Sequence, residues 1–429
     1  MIIIPFIFFL LLTIYWWHKH QCFDVCVYMS ALYAFTSLMC IIVVEGRMLD
    51  DAGVQFDEYD LKLSVLPTMV YLASITIGML PFSMLYKNDL KSIKATNPWI
   101  LDGVCWVLIA VSMLNLYLVA DSTMEILSGD LSSVRTDHYN GIESPAQVKA
   151  QSLPSIVGYF YYLNISTLLA LPLFFYYVCF EKRPWWFYAL LFFASLSMPI
   201  MGVQSVDRTE IMFYGMMFIS CYIVFRKFLS RTVKRVFCIA SVPLLLVVGV
   251  YLYAVTDSRF SERENGMGGG VAQYAGQNYL NFCFFWEHGN WEEVTTERIL
   301  PLHSHFVMHI DNDNERRDVR SGKLGFFMSV FAAYVGDILL DLSPIGLALW
   351  VVMFFTVTAL VLRRSHREEL TAGEYLAFFF LSVIPIFGVF YYRYMAFGYS
   401  LMAIIVAFVF FTEKYRIVMK IDEPKEEEG

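Results

Sequence analysis

About eleven runs of mostly apolar residues dominate this sequence and limit what it can fold into. A helix that crosses a bilayer needs about 20 such residues. The chain is 58% hydrophobic and 16% charged, with a mean hydropathy of +0.55, which is too apolar for a soluble protein of 429 residues. We therefore expect an all-α polytopic membrane protein, a single integral membrane domain over residues 1–429. The runs lie near residues 1–17, 24–44, 64–86, 99–120, 155–180, 187–205, 211–225, 236–255, 343–362, 375–392 and 396–412.

The distribution of lysine and arginine predicts how these helices are oriented. Loops on the cytoplasmic side of a membrane carry an excess of both residues. Most of the 31 basic residues fall in every second connection and in the C-terminal tail. This alternation predicts an outward N-terminus, an inward C-terminus and long loops that all face outward. The basic connections are residues 18–23, 87–98, 181–186, 226–235 and 363–374, and the tail, residues 413–429, is acidic at its end and expected to be cytoplasmic.

One long polar interval, residues 256–342, interrupts the apolar pattern. It is expected to be a long outer loop that contains short helices, held at the membrane surface by the apolar segments. Residues 325–341 within it are apolar but only about 17 long, and counting them as a crossing would break the charge alternation. We expect this segment to lie on the outer surface or to dip partway in as a re-entrant helix, which is tolerated where it lines a cavity.

Four arginines at the predicted outer ends of helices run against the charge bias and are candidate ligands for a substrate. They are Arg208, Arg259, Arg263 and Arg393. A guanidinium group is always charged, and its planar fork matches phosphate oxygens. Several of them directed at one place would hold a lipid diphosphate at the membrane surface. The alternative is local ion pairing, since Asp207 and Glu210 flank Arg208, and Asp257 and Glu262 flank Arg259.

The polar interval also contains a cluster of histidines, His303, His305 and His309. A metal site is one interpretation, although this spacing without a fixed carboxylate is a weak signal. A single histidine that acts as a general base, or that hydrogen-bonds a sugar hydroxyl, needs less. Surface or structural histidines remain the third interpretation. The net charge of −8 argues against a nucleic-acid partner.

Acidic and aromatic residues of the outer loops are weaker candidates. The acidic groups Asp50-Asp51 and Asp57-Glu58-Tyr59-Asp60 could mimic the metal-binding pairs of some glycosyltransferases, but solvated loop charge is the better interpretation. Aromatic side chains such as Tyr274 could stack on sugar rings. No single aromatic residue is singled out by the sequence.

Several short motifs, in this order, resemble the Wzy-type oligosaccharide repeat-unit polymerases, the O-antigen polymerases of bacterial envelopes. The resemblance covers roughly residues 190–410, and Ser343-Pro344 stands where that family often has a glycine. The motifs are D-R-T-E-I-M-F-Y at 207–214, D-S-R-F at 257–260, Y-A-G-Q-N-Y-L-N-F at 274–282 and Y-V-G-D-I-L-L-D-L-S-P-I-G at 334–346.

The resemblance implies a membrane-embedded glycosyltransferase of the GT-C-like kind that works without a metal, a nucleotide sugar or another cofactor. Its implied substrates are undecaprenyl-diphosphate-linked glycans at the outer face of the bacterial inner membrane. A chain-length regulator is a further candidate partner, beside the bilayer itself. The expected substrate-binding residues are Arg208, Arg259, Arg263, Arg393, Tyr274 and Asn278. The candidates for the base that activates the acceptor hydroxyl are His305, His303, Glu287 and Asp337.

Two other functions stay open at the level of sequence. An O-antigen ligase would share the fold and the arginines but transfer the glycan to a lipid A core. A polysaccharide flippase or another transporter would be expected to place charges within its spans, along a path. The predicted spans are nearly free of charge, with Asp102 near one end as the clearest exception. This pattern favours chemistry at the surface over transport.

Overall fold

The computed structural model describes most of the chain as a bundle of α-helices. The described residues are 1–48, 63–86, 90–128, 148–149, 152, 163–204, 208–260, 266–289, 291, 299–302, 321–322, 330–363 and 369–414. The helices are α1 Ile3–His20, α2 Val25–Glu45, α3 Val65–Met79, α4 Pro98–Ser128, α5 Ala170–Phe180, α6 Trp185–Ser195, α7 Ser197–Gln204, α8 Thr209–Phe225, α9 Arg231–Phe260, α10 Gly266–His288, α11 Ala333–Arg363, α12 Ala372–Phe387 and α13 Phe397–Lys414. Three 3₁₀ segments, Leu80–Tyr86, Leu163–Leu169 and Arg393–Met395, adjoin α3, α5 and α13.

The expectation of an all-α multi-pass membrane protein is confirmed. Within the described part of the chain, seven helical segments are long and apolar enough to cross a membrane, and three shorter apolar helices accompany them. Each apolar run predicted from the sequence coincides with a helix over its described residues. The run at 236–255 falls inside α9, and the run at 187–205 is divided between α6 and α7. The number of crossings remains a prediction.

Two strands mark one end of the bundle, which we call the strand end. β1, Ser92–Lys94, pairs in parallel with β2, Glu369–Thr371. Glu413, near the end of α13, accepts hydrogen bonds from the backbone N–H groups of Thr96 and Asn97, directly before α4. Because the first N–H groups of a helix have no partner within it, this buried carboxylate stabilises the start of α4.

α8 and α12 run antiparallel between the strand end and the opposite end. Phe225 at the end of α8 packs against Tyr375 near the start of α12, with ring centroids 4.9 Å apart. Phe213 near the start of α8 packs against Phe387 at the end of α12, at 4.8 Å. Arg208 directly precedes α8, and Arg393 lies between α12 and α13. We call this opposite end the arginine end.

The described part of the polar interval contains a long helix. Its residues Gly266–His288 form α10, of 23 residues, where the sequence predicts short helices. The helix lies across one end of α2 and α3. Gln273 donates to the carbonyl oxygen of Met48, after α2, at 2.7 Å, and Ser64, before α3, donates to Glu287 at 3.0 Å. A Cβ atom on Gly276 would lie 2.6 Å from the backbone of Met39, so glycine permits this close crossing.

α11 is bent into two arms at Ser343, whose φ of 67° and ψ of 172° are not helical, and Pro344 follows it. Tyr334 in the first arm packs against Trp350 in the second, with ring centroids 5.8 Å apart. Residues 16 positions apart in a straight helix would be about 24 Å apart. The chain therefore reverses at Ser343 and forms a helical hairpin.

The first arm of this hairpin is buried inside the protein. Tyr334, Val335, Ile338 and Leu339 have no exposed surface. The Tyr334 hydroxyl donates to the carbonyl oxygen of Ser74, within α3. The apolar side chains of these described residues fill the core. The two placements relative to a membrane, on the outer surface or re-entrant, both remain predictions.

Candidate functional site

Arg393 is the centre of a charged and aromatic cluster at the arginine end. Its side chain is 9% exposed and pairs with Glu210, in the first turn of α8. Its Nε donates to the hydroxyl of Tyr399 at 2.7 Å, and its Nη1 donates to the hydroxyl of Tyr391. The guanidinium group also lies against the rings of Phe213 and Phe387, at 5.0 and 5.3 Å from their centroids.

This environment keeps Arg393 charged in spite of its burial. Burial by itself would lower the pKa of the guanidinium group, but the Glu210 carboxylate and the tyrosine hydroxyls more than offset it, so the pKa is raised well above its usual value. A buried pair of this kind adds little net stability compared with apolar residues, whereas removing one partner is costly. The pair therefore fixes the position of Arg393.

Arg208 lies at the same end, at the residue before α8. Its Nη1 donates to the hydroxyl of Thr256 in α9 at 2.7 Å, and its guanidinium carbon lies 5.2 Å from the ring centroid of Tyr274 in α10. Arg208 is partly exposed. Arg259 follows Thr256 by three residues in α9, so its backbone lies within one helical turn of the residue that Arg208 contacts. The side chain of Arg259 lies outside the described part.

An aromatic row joins the two arginines. The Tyr274 ring meets the Phe331 ring edge to face at 5.2 Å. The Phe331 ring stacks on Tyr391 at 5.7 Å, with an angle of 11° between the ring planes. Tyr391 in turn contacts Arg393. Three segments that are distant in the sequence thus converge between Arg208 and Arg393, and all three rings are partly exposed.

Buried polar residues on one face of α10 lie beside this row. Gln273, Gln277, Asn278 and Asn281 are all buried, with at most 4% of their surface exposed. Asn281 donates to the carbonyl oxygen of Phe331 at 2.7 Å and to Gln277 at 3.2 Å. Asn278 donates to the carbonyl oxygen of Ala275, and its Oδ1 has no hydrogen-bond partner among the residues that the structure describes. Asn278 lies one turn after Tyr274.

Asp337 holds the segment that carries Tyr391 and Arg393. Its Oδ2 accepts a hydrogen bond from the backbone N–H of Tyr392 at 2.6 Å, and the residue is 1% exposed. The N–H groups of Ala333 and Tyr334 donate to the carbonyl oxygens of Phe390 and Gly388. The geometry therefore gives Asp337 a structural role at the site, whereas the sequence suggested it as a general base.

Glu287, another of the four predicted bases, does not lie near the arginines. Glu287 follows Tyr274 by 13 residues in the same helix, which places their backbones about 20 Å apart. It lies instead beside Ser64 at the start of α3. His303, His305 and Arg263 lie outside the described residues. In the part of the chain that the structure describes, no group of three or more His, Cys, Asp or Glu side chains could hold a metal ion.

Sequence reasoning missed several members of the cluster. Glu210 was considered as a local partner of Arg208, yet it pairs with Arg393, which is 183 residues away in the sequence. Phe331 and Thr256 carry no sequence signal of their own. The tyrosines on both sides of Arg393, in F-Y-Y-R-Y-M, are the one local hint, because phenol hydroxyls and rings are suited to surround a buried guanidinium group.

A scan against protein-family models, a search of curated proteins and a search of solved structures each found no match to this chain.

Proposed function

We propose that this protein polymerises lipid-linked oligosaccharide repeat units at the outer face of the bacterial inner membrane. The observation that carries the proposal is the convergence of Arg208 and Arg393 at one end of the bundle, joined by partly exposed aromatic rings. Two fixed guanidinium groups beside aromatic surface suit a substrate that combines a diphosphate with a sugar. The motif order that resembles Wzy-type polymerases runs through the same residues.

In the proposed reaction, the bond between the anomeric carbon of the growing glycan and its undecaprenyl diphosphate breaks. The electron pair of that bond leaves with the diphosphate, which leaves as an anion. A terminal hydroxyl of the next lipid-linked repeat unit forms the new glycosidic bond and gives its proton to a base. Charge on the diphosphate grows as the old bond breaks, so a positioned guanidinium group stabilises the transition state more than the ground state.

The two arginines have different parts in this proposal. Arg208 is partly exposed and contacts a hydroxyl and a ring, so it is the residue that grips the diphosphate. Arg259, one turn beyond Thr256 in α9, is placed to assist. Arg393 is buried and committed to Glu210, Tyr391 and Tyr399, so it fixes the wall of the site and contributes its field.

His303 and His305 are the bases that the proposal retains. The backbone N–H of Ile299 donates to Asp341 at 3.1 Å. Asp341 lies one turn after Asp337 in the same hairpin arm. Ile299, four residues before His303 in the sequence, thus lies beside the hairpin arm that also carries Asp337. An imidazole is suited to accept a proton near neutral pH. Asp337 positions the Tyr392 segment instead, and Glu287 is distant from the cluster.

The proposal includes the finer features expected from the sequence. They are eleven crossings, a GT-C-like arrangement and an arginine end that faces the periplasm. The strand end then faces the cytoplasm, which agrees with the basic residues of its connections, Lys94, Lys182, Arg183, Arg226 and Lys227. The proposed partners are undecaprenyl-diphosphate-linked glycans, the bilayer and a chain-length regulator. No metal or other cofactor takes part in the proposed reaction.

The test is reconstitution of the purified protein in bilayers with undecaprenyl-diphosphate repeat units extracted from the cells that produce it. We expect a ladder of longer lipid-linked glycans that persists in the presence of a metal chelator. Transfer to a lipid A core without a ladder would indicate a ligase. Movement of the lipid-linked unit across the bilayer, with no new glycosidic bond, would indicate a transporter. Activity lost on chelation and restored by a divalent ion would contradict the metal-free mechanism.

A further inference from the structure

The three partly exposed rings between the arginines lie in a continuous row that we call the aromatic shelf, Tyr274, Phe331 and Tyr391. Each ring comes from a different part of the fold: α10, the segment before α11, and the segment before the Arg393 turn. The rings contact one another at 5.2 and 5.7 Å. Tyr279 and Phe282, two aromatic residues of the buried core, are at most 2% exposed, whereas the three shelf rings are partly exposed.

Hydrogen bonds to the Phe331 backbone and to the Tyr391 hydroxyl hold two of the shelf residues in place. The carbonyl oxygen of Phe331 accepts from Asn281, and the hydroxyl of Tyr391 accepts from Arg393. The neighbouring N–H of Tyr392 is fixed by Asp337. Rings that are fixed in advance lose little conformational entropy when they bind a ligand. Such support suits a binding surface better than a patch that only contacts lipid.

We propose that the aromatic shelf binds the sugar ring that is attached directly to the diphosphate. This inference rests on the proposed function and extends it from the diphosphate to the glycan. A pyranose ring has a face of C–H groups that packs on aromatic rings, with its hydroxyls directed outward. Arg208 lies over Tyr274, at one end of the shelf, so a diphosphate held there places the attached sugar over the adjoining rings. Arg393 lies against Tyr391 at the other end of the shelf.

Phe331 is the shelf residue best suited to a test, because its ring makes no hydrogen bond. Replacement by Leu keeps apolar volume and leaves the backbone contact with Asn281 in place, while the flat aromatic face is lost. Phe331→Trp keeps an aromatic face. A matched control is Phe284→Leu, because Phe284 is also a partly exposed aromatic residue, and its ring stacks on His288 near the end of α10.

The measurement compares two ligands on the full-length protein in detergent or nanodiscs. One ligand is undecaprenyl diphosphate without sugar, and the other is the undecaprenyl-diphosphate oligosaccharide extracted from the producing cells. We expect Phe331→Leu to bind the glycan-bearing lipid about two- to twelvefold more weakly, which is the range for one aromatic contact. Its affinity for the bare diphosphate lipid should equal that of the wild type. Phe331→Trp and Phe284→Leu should bind both ligands as the wild type does.

The binding data distinguish a failure of the proposed function from a failure of the shelf assignment. If the wild type binds neither lipid, the proposed function is wrong and the shelf assignment falls with it. If the wild type binds both lipids, but Phe331→Leu weakens both equally or weakens neither, the shelf assignment alone is wrong. Unchanged binding of the bare lipid by Phe331→Leu also shows that this variant is folded.

Discussion

The two ends of the bundle hold their charged side chains in different ways. At the strand end, Arg183 makes two hydrogen bonds to Asp102, at 2.6 and 2.9 Å, and Lys94 pairs with Glu369 at 2.6 Å. These pairs are substantially exposed. At the arginine end, Arg393 is 9% exposed among four aromatic rings and one carboxylate, and Arg208 contacts a hydroxyl and the face of Tyr274.

This difference separates structural charge from candidate functional charge. Exposed ion pairs contribute little to stability and are weakened by salt. Guanidinium groups beside aromatic rings experience a lower dielectric, in which their interaction with a phosphate is stronger than in water. We therefore regard the exposed ion pairs at the strand end as structural. The arrangement at the arginine end is suited to hold an anion beside a sugar.

The largest expected contrast between the two ends is their location on opposite sides of the membrane. Reporter fusions after Gly289, at the end of α10, should report a periplasmic position. Fusions at Lys234, near the start of α9, should report a cytoplasmic position. The reason is the excess of basic residues at the strand end. A cytoplasmic signal at Gly289 would contradict both the orientation and the proposed chemistry.

Stability should respond very differently to arginine removal at the two ends. Arg393→Ala leaves the Glu210 carboxylate in a largely buried site, and we expect it to lower the free energy of unfolding by about 3–5 kcal/mol. Arg183→Ala removes a partly exposed pair with Asp102 and should cost about 0–1 kcal/mol. Denaturant unfolding of the purified proteins in detergent measures both.

A double variant sharpens this comparison. If the penalty of Arg393→Ala arises because the largely buried Glu210 carboxylate loses this arginine, adding Glu210→Gln should recover part of the lost stability, because the charge is removed. The corresponding Asp102→Asn change should recover nothing measurable in the Arg183→Ala background. Equal losses at both ends, with no recovery by Glu210→Gln, would contradict the buried-pair description of Arg393.

Substitution of Asp337 should have a smaller effect, and it distinguishes a positioning role from acid–base catalysis. Asp337→Ala leaves the buried N–H of Tyr392 without its acceptor, which should cost about 1–3 kcal/mol of stability. Asp337→Asn retains an acceptor oxygen and should keep most of the activity per folded protein. Polymerisation assays at matched protein amounts check this. A stable Asp337→Asn variant without activity would restore Asp337 as a candidate base.

Much of the fold could be predicted from the sequence because hydropathy reports lipid-sized helices directly. The apolar runs at 24–44 and 99–120, for example, correspond to α2 and α4. The sequence does not predict the helix α10, because its glycine-rich start, G-M-G-G-G, has low helix propensity. Its buried face is also polar and contains Gln273, Gln277, Asn278 and Asn281. Hydropathy counts these side chains as solvated, although Gln273 and Asn281 hydrogen-bond within the protein.

Individual residues of the site could be predicted from the sequence, but their contacts with one another could not. The positions of Arg208 and Arg393 at helix ends predict them as ligands, and the family resemblance adds Tyr274. The structure brings all three to one end of the bundle. Their partners Glu210, Phe331 and Tyr391 are ordinary residues locally. Only the antiparallel packing of α8 and α12 places Glu210 beside Arg393, and no local pattern encodes that contact.

The central claim is that Arg208 grips the diphosphate of the donor, and substitution by Lys tests it most directly. Lys keeps the charge but loses the planar fork, so Arg208→Lys should rescue only part of the activity lost in Arg208→Ala. One charge-assisted hydrogen bond is worth about 1.5–3 kcal/mol, which corresponds to about one to two orders of magnitude in rate.

The measurement is glycan chain length in cells, normalised to membrane-inserted protein, for Arg208→Ala and Arg208→Lys, with Arg183→Ala as the control from the strand end. The account predicts short or absent chains for Arg208→Ala, intermediate chains for Arg208→Lys and normal chains for Arg183→Ala. Normal long chains from a well-inserted Arg208→Ala protein would contradict it.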